Sequence, residues 1–150
     1  MKRGELVRSR KIEKIALTLM LLFWSTAAQS QDPSKIPLYI NDREIWVEVA
    51  KTPNERAKGL MGRDHLGQNE GMLFIFEAER YHGFWMKDTL IPLSIAFIDK
   101  EGRIVRITDM KPLTLEPHHP PIPILYALEM KKGWFSANGI NVGDIVRFSK

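Results

Sequence analysis

The sequence predicts a mainly β fold: a small barrel-like or sandwich domain of short, mostly antiparallel strands with one short helix. Three observations support this prediction. Short apolar runs alternate with turn-forming residues from residue 38 onward, only one segment carries a helix start signal, and no internal repeat is present. The pattern therefore indicates one sheet-based domain.

The first two predicted strands are residues 38–40 and 45–49, which flank a turn at residues 41–43. In the second run, three β-branched residues alternate with Trp46 and Glu48. This alternation is the period of a strand with one buried face. A hairpin is therefore expected here.

A helix is predicted to begin at Pro53. Thr52 has the hydroxyl of an N-cap residue, Pro53 suits the first helical position, and Glu55 is placed to complete a capping box. Gly59 and Gly62 limit this helix to about two turns.

The rest of the chain alternates short strands with turns. The sequence Asp-Lys-Glu-Gly at residues 99–102 is a strong hairpin signal, and residues 133–135 are expected to form another turn. Residues 111–123 contain five of the nine prolines, which predicts an extended surface loop. Further strands are predicted at residues 71–76, 82–86, 93–98, 104–110, 124–130 and 145–149.

The N-terminal residues 1–30 have the order of a secretory signal peptide. Six basic side chains precede or border an apolar run at residues 15–24, and small polar residues follow it. Cleavage after Ala28 or after Ser30 fits this pattern, and an uncleaved membrane anchor is the alternative. We therefore expect an exported protein, periplasmic or secreted, with a short tail at residues 31–37 and one domain over residues 38–150.

Removal of this leader changes the charge of the chain. Residues 1–30 contain six basic and two acidic side chains, which leaves sixteen of each sign among residues 31–150. The high isoelectric point, near 9.4, therefore describes the leader, and nucleic-acid binding through bulk charge loses its support. The chain has no cysteine, so packing rather than disulfides must stabilise the domain.

The candidate site centres on residues 82–89, where large apolar side chains adjoin a cation, an anion and a hydroxyl. In an extended segment, Phe84 and Met86 face the core while Trp85 and Lys87 face outward. A purely structural role, with Trp85 covering a sheet edge, is the alternative. The candidate ligand-binding residues are Arg56, Met61, Arg63, Trp85, Lys87, Asp88 and Thr89.

Two arginines extend this candidate site. Arg56 and Arg63 are seven residues apart, so a helix continuing that far would place both on one face. Together with Lys87 they could frame an anion, because a guanidinium suits bidentate contacts with a carboxylate or phosphate. The alternative is that these cations form structural ion pairs with Glu55, Glu70 or Asp88.

Four ordered motifs resemble a known family. They lie at residues 55–63 (ERAKGLMGR), 71–76 (GMLFIF), 84–93 (FWMKDTLIPL) and 143–144 (GD). Together they resemble the frequently exported, uncharacterised family called domain of unknown function 192, over about residues 45–148. The resemblance implies a compact, mostly β domain with one short helix and no established activity.

The chain departs from this family at two positions. Asp88 stands where the family usually has Asn, and Ser94 where it usually has Asp. Because a serine cannot replace an acid or base at neutral pH, a catalytic mechanism that needs an acid at position 94 is disfavoured.

These observations favour a non-catalytic module that binds a small anionic ligand or an envelope protein, with no predicted cofactor. The alternative is an enzyme that acts on an envelope saccharide or peptide through Asp88. No cysteine nucleophile, Gly-x-Ser-x-Gly elbow, phosphate loop or His-Glu-x-x-His motif is present in the sequence. A carboxylate pair could be assembled from Asp88, Asp109, Glu129 or Asp144, but acidic residues are too common for this to decide.

A copper site is the third alternative. Thioethers and imidazoles beside a tryptophan would suit Cu(I). However, alternation sends Trp85 and Met86 to opposite faces, and scattered methionines more often fill cores. The available side chains are Met61, Met72, Met86, Met110, Met130, His65, His82, His118 and His119.

Overall fold

A computed structural model describes residues 34–148. Its strands carry apolar side chains on both faces, so both faces of the sheet are buried. The predicted signal peptide with its two cleavage positions, the start of the predicted tail, and Ser149 lie outside the described residues. Neither helix among residues 34–148 has the length and apolar character needed to cross a membrane.

Seven strands and two short helices make up this region. In chain order they are β1 (Lys35–Ile40), β2 (Arg43–Ala50), α1 (Pro53–Lys58), β3 (Glu70–Arg80), β4 (Leu93–Ile98), β5 (Ile104–Met110), β6 (Ile124–Lys131), α2 (Trp134–Ala137) and β7 (Val146–Phe148).

All seven strands belong to one sheet, in the order β5-β4-β6-β3-β2-β1-β7. Only the pairing of β2 with β3 is parallel among these strands. The sheet is curled into a half-barrel. The predictions of a mainly β, barrel-like and mostly antiparallel domain are therefore confirmed.

The two faces of the sheet support two apolar clusters. The inner cluster receives side chains from every strand and from α2, including Leu73 and Leu128. The outer cluster is built on β3, β4 and β6 by residues such as Phe74 and Phe97. Leu60, Phe84 and Met86, which belong to no strand, complete the outer cluster. The outer face is therefore covered by connecting segments rather than by a second sheet.

Backbone hydrogen bonds join the two outermost strands at one end. The Ile104 amide donates to the Asp144 carbonyl at 2.9 Å, and the Val146 amide donates to the Gly102 carbonyl at 2.8 Å. Gly102 has φ +83°, and a Cβ there would lie 2.6 Å from the Val146 carbonyl oxygen. This position therefore requires glycine both for its backbone angle and for the close approach of β7.

Several sequence predictions are confirmed and others are corrected. The hairpin at the start of the chain, the helix start at Pro53, and the strands at residues 93–98 and 104–110 are all present. Residues 82–86 do not form a strand; only Phe84 makes an isolated bridge, to His118. This segment lacks a continuous strand partner because it crosses the outer face instead of joining the sheet.

Two element boundaries and one predicted turn also differ from the sequence predictions. β1 begins at Lys35, inside the predicted tail, because residues 35–37 pair with residues 46–48 of β2. α1 ends at Lys58, shorter than two full turns. The predicted turn at residues 133–135 leads into a second helix, α2, because burial of Trp134 and Phe135 stabilises one helical turn after Gly133.

Candidate ligand-binding site

Residues 84–90 and 113–118 run side by side over the outer face. The Phe84 and His118 backbones exchange two hydrogen bonds, of 2.9 and 2.7 Å, and the Met86 amide donates to the Thr114 carbonyl at 3.0 Å. Phe84 and Met86 are buried, whereas Trp85 is 50% exposed. The predicted alternation along this segment is therefore confirmed, although the segment is not a strand.

The N-terminal cap of α1 fixes the second wall of the site. The Thr52 hydroxyl accepts from the Glu55 amide, and the Glu55 carboxylate accepts from the Thr52 amide. These backbone hydrogen bonds hold the pKa of Glu55 below its usual range. The capping box was predicted and places the following residue, Arg56, over β3.

Arg56 is held by backbone and aromatic contacts. Its guanidinium donates to the carbonyls of Lys51 and, at 3.0 Å, Ile75. The same group lies 5.1 Å from the centre of the Phe76 ring, within the range of a cation–π contact. Among residues 34–148, no carboxylate lies within 4.0 Å of this guanidinium.

A cavity of about 100 Å³ lies between α1, β3 and the segment carrying Trp85. We call it the aromatic cavity. Phe84 forms edge-to-face contacts with Phe74 and Phe76, with ring centres 5.0 and 6.0 Å apart. These contacts fix the wall geometry. The lining residues are Arg56, Ala57, Lys58, Gly59, Leu60, Met61, Phe74, Phe76, Gly83, Phe84, Trp85, Thr89 and Glu129.

Glu129 is the unusual member of this lining. It lies on β6 in the middle of the sheet, directly opposite Met72 of β3 and Ile95 of β4. Its residue surface is only 5% exposed. Burial among apolar neighbours raises its pKa to about 8. Glu129 therefore holds its proton at neutral pH.

The Glu129 carboxyl has no protein partner within the described part of the chain. No hydrogen bond or ion pair to its side chain occurs among residues 34–148, and desolvation is the cause of its raised pKa. The carboxyl instead contributes to the lining of the aromatic cavity. None of the described side-chain oxygens is both sealed from solvent and unpartnered, so the carboxyl is a hydrogen-bonding group that a molecule in the cavity can reach.

The charged side chains around the cavity are mostly cationic. Arg56 and Lys58 belong to its lining, and the Lys87 ammonium lies 5.6 Å from the centre of the Trp85 ring. Neither lysine forms an ion pair with an acid of residues 34–148. Glu129 is the one acidic side chain in the described lining.

The structure gathers some predicted site residues and separates others. Arg56, Met61, Trp85 and Thr89 line the aromatic cavity, and Lys87 lies against Trp85. Arg63 and Asp88 do not line it.

Arg63 and Asp88 have other environments. Because α1 ends at Lys58, Arg63 is not on the helix as proposed; it pairs with Glu48 at 2.5 Å and lines an adjacent depression of about 310 Å³. Asp88 is exposed, and its carbonyl accepts from the Gly62 amide at 2.8 Å. Arg63 thus joins the loop after α1 to β2, whereas the Asp88 backbone joins that loop to the segment carrying Trp85.

Comparison with known proteins identifies the family of this chain. The family model for DUF192, described as an uncharacterised ACR, matches residues 36–148. The chain belongs to this family. A comparison with curated proteins finds no match.

Two solved structures are similar to the chain. A Sinorhizobium meliloti protein, provisionally described as a transcription regulator, is 30% identical with a TM-score of 0.71 over 76% of this chain and 92% of that one. A Novosphingobium aromaticivorans protein of unknown function is 34% identical with a TM-score of 0.72 over 76% of this chain and 85% of that one. At 30% and 34% identity, these two proteins share the fold of this chain.

Positions 88 and 94 have defined structural roles. Asp88 has φ +51°, a left-handed conformation that Asn and Asp tolerate better than most residues. Ser94 is buried, donates to the Asp109 carboxylate at 2.5 Å and accepts from the Gly133 amide. Position 88 is thus a turn position, and position 94 ties β4 to β5 and the start of α2.

Sequence reasoning missed the residue at the base of the site. Glu129 was named only among several acids, without a position in the fold. Its signal was a single charged residue inside the apolar run at residues 124–130. The role of Gly83 was also missed; a Cβ there would lie 2.7 Å from the His119 ring.

The described residues do not support the copper-site alternative with a cluster of acidic or imidazole ligands. Among the described residues, no three His, Asp or Glu side chains converge as metal ligands. Met86 and Met110 are buried in the outer cluster, and Met130 in the inner one. Met61 alone of the methionines lines the aromatic cavity.

The left-handed backbone at position 88 generates the first prediction. Asp88→Asn should leave the free energy of unfolding within about 0.5 kcal/mol, whereas Asp88→Val should lower it by about 1–2 kcal/mol because a β-branched side chain is strained at this φ. Urea denaturation measures both. Glu116→Val, on an exposed loop residue, controls for removal of a charge; equal losses in the two Asp88 variants would contradict the backbone explanation.

The buried carboxyl generates a second prediction. The folded protein keeps the Glu129 proton up to about pH 8, whereas the unfolded chain releases it near 4.5. The free energy of unfolding should therefore fall between these pH values, and Glu129→Gln should remove this fall. Between pH 4.5 and pH 8, the free energy of unfolding of the wild type should fall by a few kcal/mol more than that of Glu129→Gln.

Urea denaturation from pH 4 to pH 9 checks this prediction, with Glu116→Gln as the exposed control. Parallel curves for wild type and Glu129→Gln would show that Glu129 ionises equally in both states, against the prediction.

Proposed function

We propose that this protein is a non-catalytic binding module that takes a small chemical group into the aromatic cavity. One observation carries the proposal: the buried Glu129 carboxyl lines that cavity without a protein partner. Among the described residues, no side-chain oxygen is both sealed from solvent and without a partner, so the Glu129 carboxyl oxygens are reached through the cavity. A ligand there could replace water as the hydrogen-bonding partner of Glu129 and be oriented by it.

The cavity size favours a small ligand over the envelope protein considered above. A volume of about 100 Å³ admits a few water molecules or a group of roughly four to six heavy atoms. Aromatic walls suit an apolar portion of the ligand, and Glu129 supplies the polar contact that fixes its orientation.

Binding is better supported than catalysis. Glycoside hydrolysis in most families requires two carboxyls, whereas Glu129 is the one carboxyl in the described lining. The Thr89 hydroxyl is buried and donates to the Lys87 carbonyl at 3.1 Å, so it is not presented as a nucleophile. Asp88, the acid of the enzyme alternative, is an exposed turn residue.

The Sinorhizobium protein is described as a transcription regulator, but the charge of this chain does not support nucleic-acid binding. Residues 31–150 carry equal numbers of acidic and basic side chains, which gives no bulk charge for nucleic acid.

A cavity-filling variant tests the binding function. Ala57 lines the cavity from an exposed position on α1, and Asn54 is exposed on the same helix away from it. We expect Ala57→Leu to reduce fragment binding at least roughly tenfold by occupying the cavity, and Asn54→Leu to leave it unchanged.

The measurement is a titration of isotope-labelled protein with small neutral, anionic and cationic fragments, followed by the amide resonances of Gly83, Trp85 and Glu129. If no fragment shifts these resonances, or if both leucine variants bind like wild type, the binding function is wrong.

We also propose that the protein is exported, because residues 1–30 combine a basic region, an apolar run and small polar residues. The expected mature protein begins after Ala28 or Ser30. Mass spectrometry of the protein from fractionated cells checks this; a full-length species in the soluble cytoplasmic fraction would contradict export, and a full-length membrane species would support the uncleaved anchor.

A further inference from the structure

The charges of the aromatic cavity are one-sided at neutral pH. Arg56 and Lys58 carry positive charge, and the one acid of the described lining, Glu129, is protonated. Lys87 adds a third positive charge beside Trp85. None of these cations has a carboxylate partner among the described residues. A cationic ligand would meet repulsion at this site, and an anion would meet attraction.

The aromatic rings of the site also disfavour a cationic ligand. An organic cation would bind best over the face of an aromatic ring. The Arg56 guanidinium already lies 5.1 Å from the Phe76 centre and the Lys87 ammonium 5.6 Å from the Trp85 centre. The protein's own cations therefore occupy two of the ring faces that a cationic ligand would need.

We propose that the ligand is a small organic carboxylate, whose charged group accepts a hydrogen bond from the Glu129 carboxyl while its apolar part lies among the phenylalanines. This inference rests on the binding function proposed above. A hydrogen bond from a carboxylic acid to a carboxylate is charge-assisted and short. Arg56, Lys58 and Lys87 stabilise the ligand's single negative charge at longer range.

This arrangement requires the Glu129 proton. An ionised Glu129 would place two carboxylates together and repel the ligand. Bound carboxylate therefore holds the proton more tightly on Glu129, and affinity should fall as pH rises through about 8. A cationic ligand would show the opposite dependence, because it would bind the ionised form.

Three probes of matched length separate these cases: butyrate, butylammonium and butanamide. Titrations followed by the Gly83 and Trp85 amide resonances should give the highest affinity for butyrate at pH 7. The butyrate affinity should fall about tenfold between pH 7 and pH 9, as expected for one required proton with a pKa near 8.

Two variants and one control test which side chains determine the butyrate affinity and its pH dependence. Glu129→Gln keeps a hydrogen-bond donor without a titrating proton, so butyrate should still bind, with an affinity independent of pH. Lys58→Gln should weaken butyrate roughly twofold by removing one exposed charge. Lys51→Gln removes an exposed lysine that does not line the cavity and should have no effect.

The outcomes separate this inference from the binding function. Preference for butylammonium or butanamide, or a butyrate affinity in wild type that ignores pH, would overturn the carboxylate assignment and leave the cavity as a binding site. Failure of all three probes, while other fragments still bind and are blocked by Ala57→Leu, would also overturn it. Failure of every fragment would overturn both.

Discussion

The outer face of the sheet must be kept from water, and the described chain has only one short helix and two paired loops to cover it. The apolar side chains of β3, β4 and β6 on this face are buried by the Leu60 turn that follows α1 and by the segment carrying Phe84 and Met86. Because these covers are irregular, they do not fill the surface as a second sheet would. The aromatic cavity is the space that they leave.

Glu129 lies on a strand flanked on both sides by other strands, where apolar residues surround it. An apolar residue at this position would remove the cost of burying a carboxyl. On the same strand and the same face, Ala127 is part of the outer cluster. A polar residue that violates the local apolar pattern is expected at functional sites more than elsewhere. Glu129 is such a residue.

Much of the fold was predictable because its signals are local. The Thr52 cap, the turn at residues 99–102 and the period-two strands depend on adjacent residues, and all three appear in the structure. The segment at residues 82–86 was mistaken for a strand because its partner, His118, lies on a distant loop. Arg56, Met61, Trp85 and Thr89 all line the aromatic cavity, but Glu129 could not be placed from the sequence. Its environment depends on Met72 and Ile95, which no local pattern connects to it.

The joining of β5 to the start of β7 has a consequence for the behaviour of the protein at high concentration. An open sheet presents unpaired amides and carbonyls along its edges, which can recruit a strand from another molecule. Here the backbone bonds linking Gly102 and Ile104 to Asp144 and Val146 occupy part of both edges. A chain without disulfides thus limits intermolecular strand addition by partially closing its own sheet, and a loosened closure would expose it to aggregation before the core unfolds.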